Sequence, residues 1–254
     1  KIEKKYVVNI IFLIIFLLSI LGAFFSGNRM PLLLLVMTLI LTFLFQKALR
    51  NTLIIMFVIF MSGYLYLVNN NENFSDHYKG FFYKTSQIIN YYKAKTTSDS
   101  IQSTNVYLKE FESGRFTWEK NKVFGGGIKS FFWHCSTIER EKMQLFVSKR
   151  GGVNCNTHPH NYYLQIAAEL GIIGLILIIF TFGYVVFKAA RFMIFNEIVS
   201  KEKRILLPFF ILLLIELFPF NTTGSFFTTT NSTYIFIILA FVIGLVELKQ
   251  TKKL

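Results

Sequence analysis

Residues 160–187 read HNYYLQIAAELGIIGLILIIFTFGYVVF: a histidine, then an apolar run that holds one acid, Glu169, and no base. About 20 such residues carry a helix across a bilayer, so the stretch predicts a membrane span over 162–187. Further out, comparable runs occupy 6–25, 30–45, 52–68, 205–220 and 227–246. The chain therefore reads as an all-α polytopic integral membrane protein with six transmembrane helices. Composition agrees. Of 254 residues, 53% are hydrophobic, 17% aromatic and 16% charged, with 30 Phe, whereas soluble domains carry about 25% charged residues. A signal peptide is the alternative for 6–25, but the run exceeds a signal core and no small-residue cleavage site follows it.

Between the third and fourth spans, 69–161 contains no run that could cross. The organisation is thus three helices in 1–68, an extracytoplasmic subdomain or lid in 69–161, and three helices in 162–254. Lys1, Lys4, Lys5, Lys47, Arg50, Lys188, Arg191, Lys201, Lys203, Arg204, Lys249, Lys252 and Lys253 all fall on one side if six helices alternate. By the positive-inside rule that side is cytoplasmic, with both ends inside. Arg29 is the one base in the opposite short loops. The net charge of +13 is thus spent on orientation and on the outer loop, and no basic stripe interleaved with aromatics is left for nucleic acid. The chain starts at Lys1 rather than Met, as a fragment or a processed product would.

The outer loop holds both cysteines, Cys135 and Cys155. On an oxidising side they form a disulfide or remain free thiols. A zinc site of His134, Cys135, Cys155 and His158 is a rival, although the spacing matches no standard finger or ribbon. Residues 96–104 (TTSDSIQST) form a polar Ser/Thr-rich tract.

Topology gathers a few polar residues at the outer membrane face. His160 opens the fourth span, with Thr157 as its N-cap and Pro159 in the first turn. At about 100° per residue, Gly171 and Gly174 share the face of His160 with Leu164 and Ala167, a small-residue groove for a neighbouring helix, while Glu169 falls opposite. Glu169 and Glu216 are carboxylates within spans, open to a functional or a structural reading alike, and His158 is similarly open. Arg29 follows Ser26-Gly27-Asn28 and has no acid nearby, so it calls for an anionic partner such as a lipid-linked phosphate. Arg115 lies in Ser113-Gly114-Arg115-Phe116-Thr117-Trp118, ahead of Phe124-Gly125-Gly126-Gly127. These glycines either cradle phosphate or make a turn; they match neither a P-loop nor a dinucleotide fingerprint.

His160-Asn161, nine residues, then Gly171-Ile172-Ile173-Gly174 resembles the H-[NSQ]-x9-G-x-x-G pattern of the O-antigen ligase and polymerase superfamily. The Arg115–Trp118 segment with its glycine turn resembles that family's G-R-x-x-x-W … P-L-F-G-x-G, although Lys122 or Val123 stands where the proline belongs. Ser26-Gly27-Asn28-Arg29 resembles its S-G-S-R. The resemblance implies a GT-C-like glycosyltransferase at the periplasmic face of the bacterial inner membrane and, since family members carry more spans before S-G-S-R than the single one here, the missing Met then marks this chain as the C-terminal part of a longer protein. It would move glycan from an undecaprenyl-diphosphate donor to lipid A–core, to a growing glycan or to protein, without cofactor or metal. It also implies catalytic roles for His160, Arg115 and Arg29. Arg29 and Arg115 would bind substrate, and His158, Trp118 and Glu216 join them as substrate-binding candidates; Gly171 and Gly174, by helix packing, and Cys135 and Cys155, as a disulfide pair, are the structural candidates that the residues themselves offer. Imidazole titrates near neutrality and suits a general base for an acceptor hydroxyl. A transporter or flippase of the same lipid is the competing class, which paired repeats and broken helices would mark.

Overall fold

The computed structural model describes residues 14, 17–22, 29–72, 75–76, 83, 86–87, 89–90, 106–136, 156–195, 201–221 and 224–251. Every regular element among them is helical: α1 (Arg29–Phe45), α2 (Arg50–Asn70), α3 (Val106–Lys120), α4 (Phe131–Ser136), α5 (Tyr162–Phe195), α6 (Lys201–Glu216) and α7 (Thr229–Thr251), with a short 3-10 turn at Lys47–Leu49. Arg50–Asn70, Tyr162–Ile194 and Thr229–Glu247 are long and apolar enough to cross a membrane, and Met30–Phe45 is a shorter apolar helix. Of the six expected spans, 205–220 corresponds to the 16-residue α6. Most of 6–25 lies outside the described residues, as do the tract 96–104 and Cys155.

The chain forms two compact units, residues 1–81 and 82–254. In the first, Arg50 turns back on α1. Its Nε donates to the Phe43 carbonyl at 2.9 Å and its Nη2 to the Leu44 carbonyl at 3.3 Å. A cation there satisfies the orphan carbonyls of a helix end and opposes its dipole. Thr38 and Thr42 bond their hydroxyls to the carbonyls of Leu34 and Thr38, as helices in an apolar solvent require. No residue of α2 is buried.

In the second unit α6 and α7 pack along their length through buried Leu206, Phe210, Leu213, Ile235 and Val242, with Phe209 stacked on Phe241 at 4.9 Å. Lys188 of α5 meets Glu247 of α7 at 2.9 Å. The helix α5 is not one rod. At Gly171 the backbone takes φ 68 and ψ −169, values open essentially to glycine alone. On a straight helix Tyr162 and Phe182 would lie about 30 Å apart. Both rings instead pack on Phe226, with centroids at 5.5 and 6.3 Å. Sharing one neighbour keeps their Cα atoms within roughly 20 Å, so the arms 162–170 and 172–195 meet at about a right angle or less. α5 is a V with Gly171 at its apex.

Candidate functional site

The chain enters α5 through Asn156-Thr157-His158-Pro159-His160-Asn161. His160 sits at φ 50, a left-handed conformation uncommon outside glycine, though histidine adopts it more readily than most residues. This turn brings the His158 and His160 rings to 4.4 Å. It also corrects the expected cap. The helix starts at Tyr162, and Asn161 rather than Thr157 closes it, its Oδ1 accepting the Leu164 amide at 3.1 Å. Thr157 instead bonds the His158 Nδ1 at 3.0 Å. Because His160 lies outside the helix, its angular relation to Gly171, Gly174 and Glu169 on a helical wheel does not hold.

The start of α5 is stitched to the segment that follows α6. The Asn161 Nδ2 donates to the Pro219 carbonyl at 2.7 Å, the Tyr163 hydroxyl to the Leu217 carbonyl at 2.6 Å, and the Tyr162 hydroxyl to Glu216 Oε1 at 2.8 Å. Gln165 is buried and fully engaged. It donates to Ser225 Oγ at 2.8 Å and to Glu169 Oε1 at 3.1 Å, and accepts the Phe226 amide at 2.8 Å. Glu216 therefore has a tyrosine partner in this unit.

Helix α3 lies against this segment through its small residues. A Cβ on Gly114 would stand 3.2 Å from Pro159 and from Leu164, so side chains are nearly excluded there. The face carrying Glu110, Ser113, Gly114 and Thr117 is buried. Glu110 accepts a hydrogen bond from the Asn156 amide and faces His160 electrostatically. Burial raises its pKa above the ordinary carboxylate value, against the lowering effects of His160 and Asn156. Arg115, next to Gly114, is not a bare cation. Its Nε and Nη2 donate to Glu112 Oε2 at 2.8 and 2.6 Å, its Nη1 pairs with Glu119, and its guanidinium lies 4.2 Å over the Phe116 ring. Glu112 is 1% exposed, and a buried carboxylate of this kind needs its cation. Trp118 donates its indole N–H to the Lys122 carbonyl at 3.1 Å.

After α3 the glycine turn closes the break in α5. Where a helix is interrupted, the amides beginning one arm and the carbonyls ending the other lose their partners. Here the Ile172 and Ile173 amides donate to the carbonyls of Lys122 and Val123 at 2.9 and 3.4 Å. In the other direction, the Gly126 and Gly127 amides donate to Ala168 and Glu169 at 3.0 and 2.9 Å. A Cβ on Gly171 would fall 2.1 Å from the Val123 carbonyl oxygen, and one on Gly125 would fall 2.3 Å from the Glu169 backbone. A Cβ on Gly174 would fall 2.3 Å from that of Leu170, across the bend. Gly171 and Gly174 thus make the apex of a V and its backbone docking, not the expected groove on a continuous helix. The amides of Gly125, Gly126 and Gly127 all serve carbonyls, with Gly125 on Asn121, so this turn does not present them to phosphate.

Glu169, 0% exposed, belongs to the same latch. Its Oε2 accepts the Lys129 amide at 2.5 Å, just ahead of α4. This carboxylate holds backbone. Cys135 of α4 is buried and disulfide-bonded, which removes its sulfur from the zinc grouping. Its expected partner Cys155 lies outside the described residues. So does the Arg29 side chain, although its backbone opens α1 in the first unit. Glu110 and Asn156 were not singled out in the sequence. The signal for Glu110 was a polar stripe at helical spacing, Glu110, Ser113, Gly114 and Thr117, whose residues share one face.

The features together are those of a helical membrane protein with a histidine in a left-handed turn, within electrostatic reach of a buried carboxylate, at the start of a broken helix. Residues 14–179 match the family model described as O-antigen ligase, and the chain belongs to that family. Neither the curated proteins nor the solved structures yield a match. The matched region includes α3, the glycine turn, His160 and the apex of α5.

Proposed function

We propose that the chain is a glycosyltransferase acting at the periplasmic face of the bacterial inner membrane, on glycan carried by undecaprenyl diphosphate. In this reading six helices cross in a GT-C-like arrangement with both ends cytoplasmic, and 69–161 forms the periplasmic subdomain over the site. The acceptor hydroxyl, on lipid A–core, a growing glycan or protein, attacks the anomeric carbon. The new carbon–oxygen bond forms as the bond to the diphosphate breaks, which inverts the centre. The hydroxyl proton passes to the His160 imidazole, and the bond's electron pair leaves on the diphosphate oxygen, which Arg29 and Arg115 stabilise. For Arg115 this requires phosphate to replace Glu119, the more exposed of its two carboxylates. Glu110 stabilises the imidazolium that forms, and His158 and Trp118 border the substrate.

The observation that carries this reading is the placement of His160, held in a left-handed turn against the His158 ring, within a segment matched to the O-antigen ligase family. Backbone strain of this kind concentrates where a side chain must be aimed. The broken α5 raises the transporter reading again. Its exposed amides and carbonyls are taken up by the glycine turn, however, and do not face a substrate path.

The test is transfer of a lipid-linked glycan by protein reconstituted in vesicles, followed by mass spectrometry of the product. His160→Ala is expected to lose about 10²–10⁴ in rate, and Arg29→Ala and Arg115→Ala about 10²–10³. Undiminished transfer by all three overturns the mechanism.

A further inference from the structure

The glycine turn and α4 carry an apolar ridge that the proposed chemistry does not use. Val123, Phe124, Ile128, Phe132 and Trp133 are exposed, Phe124 by 78% and Trp133 by 72%. Lys122 and Lys129 are exposed among them. The height of this ridge is set by the apex of α5, since the Lys122 and Val123 carbonyls hold the amides of Ile172 and Ile173.

Those two isoleucines also begin the outward apolar face of the second arm, which continues through Ile176, Leu177, Ile179 and Phe180, all exposed. In the first arm Gln165, Ile166, Ala167, Ala168 and Glu169 are buried in protein instead. The lipid-facing surface of α5 therefore starts at the residues that hold the turn. From 172 the arm rises roughly 23 Å to Phe187, the last residue before Lys188, and roughly 33 Å to Ile194, against a hydrocarbon core of about 30 Å, so the apex stands near one boundary of the core.

We propose that the turn and α4 form a membrane-interface anchor. Val123, Phe124, Ile128 and Trp133 enter the boundary between headgroups and acyl chains in the leaflet at the Gly171 end of α5, and Lys122 and Lys129 lie among the headgroups. The occupant is bilayer lipid because the turn is bonded, through the Lys122 and Val123 carbonyls, to Ile172 and Ile173, where the exposed apolar face of a membrane helix begins. Aromatic and basic side chains are the residues that this zone favours. The anchor holds the C-terminal end of α3, and Arg115 with it, at the membrane surface. It stands independently of the glycan-transfer reading.

Trp118 and Trp133 are the two tryptophans of the chain, so the whole protein in phospholipid vesicles reports on itself. In Trp118→Phe, a spin label carried high on the acyl chain is expected to remove about half of the Trp133 emission, with less loss to a label deep on the chain and little to aqueous iodide. If that variant fails to fold, the difference between wild type and Trp133→Phe isolates the same signal. Quenching by iodide without quenching by lipid places the ridge in water and overturns the proposal. Protection from both quenchers shows that protein covers it and overturns it equally, as does stronger quenching by the deep label.

Discussion

The amide of Ile172 donates to the carbonyl of Lys122 at 2.9 Å, across fifty positions of sequence. This bond and its three companions convert a glycine-rich turn into the missing rung of a broken helix. They join the helix that carries Arg115 to the helix that begins beside His160. Gly114 makes a second join by resting on Pro159. Two fastenings, one at each end of the arm 162–170, set the register of α3 against α5.

Substitution at the apex is expected to be costly and position-specific. Gly171→Ala combines a glycine-only backbone with a Cβ at 2.1 Å from the Val123 carbonyl oxygen, and is expected to lose about 3 kcal/mol or more. Gly183→Ala, in the same helix with open space around its Cβ, is expected to stay within about 0.5 kcal/mol of wild type. Thermal unfolding in detergent compares them, and equal melting temperatures would contradict the docked turn.

Asn161 carries two separable bonds. Asn161→Ala loses both the cap to Leu164 and the bond to Pro219 and is expected to cost about 1–2 kcal/mol, whereas Asn161→Ser retains a capping oxygen and recovers part of that loss. Equal destabilisation by both variants would show that the cap contributes nothing.

Arg115 has a structural load that can be separated from its proposed contact with substrate. Arg115→Ala removes the guanidinium that meets the buried carboxylate of Glu112, an expected cost of about 1–3 kcal/mol. Adding Glu112→Gln is expected to restore the melting temperature but not the transfer rate. Recovery of transfer in the double variant would remove Arg115 from the chemistry.

Glu110 gives the fold a pH dependence of defined sign. Its folded pKa lies above the ordinary value because it is buried, so the native state holds that proton more tightly than the unfolded chain does. The contribution is complete below the unfolded carboxylate value and is lost as pH rises through the folded one. Glu110→Gln is expected to flatten the fall of melting temperature with rising pH over this window, at pH about 4 and upward. Parallel curves for the two proteins would refute the assignment.

The solvent of this protein and its family were legible from the residues in order. Apolar runs long enough for lipid, and three motifs in order, needed nothing beyond local composition and spacing. The V of α5 was not legible there. The run over 162–187 is helical on every local criterion, and a helical wheel assumes an unbroken helix. The break at Gly171 becomes favourable only because the turn at 122–127 supplies the bonds that the helix gives up, and that partner is non-local. For the same reason Glu169, open to a functional or a structural reading from spacing alone, is a clamp on the Lys129 amide forty positions away. Spacing specifies which residues can form a helix. Only the folded chain decides which backbone groups and charges answer one another.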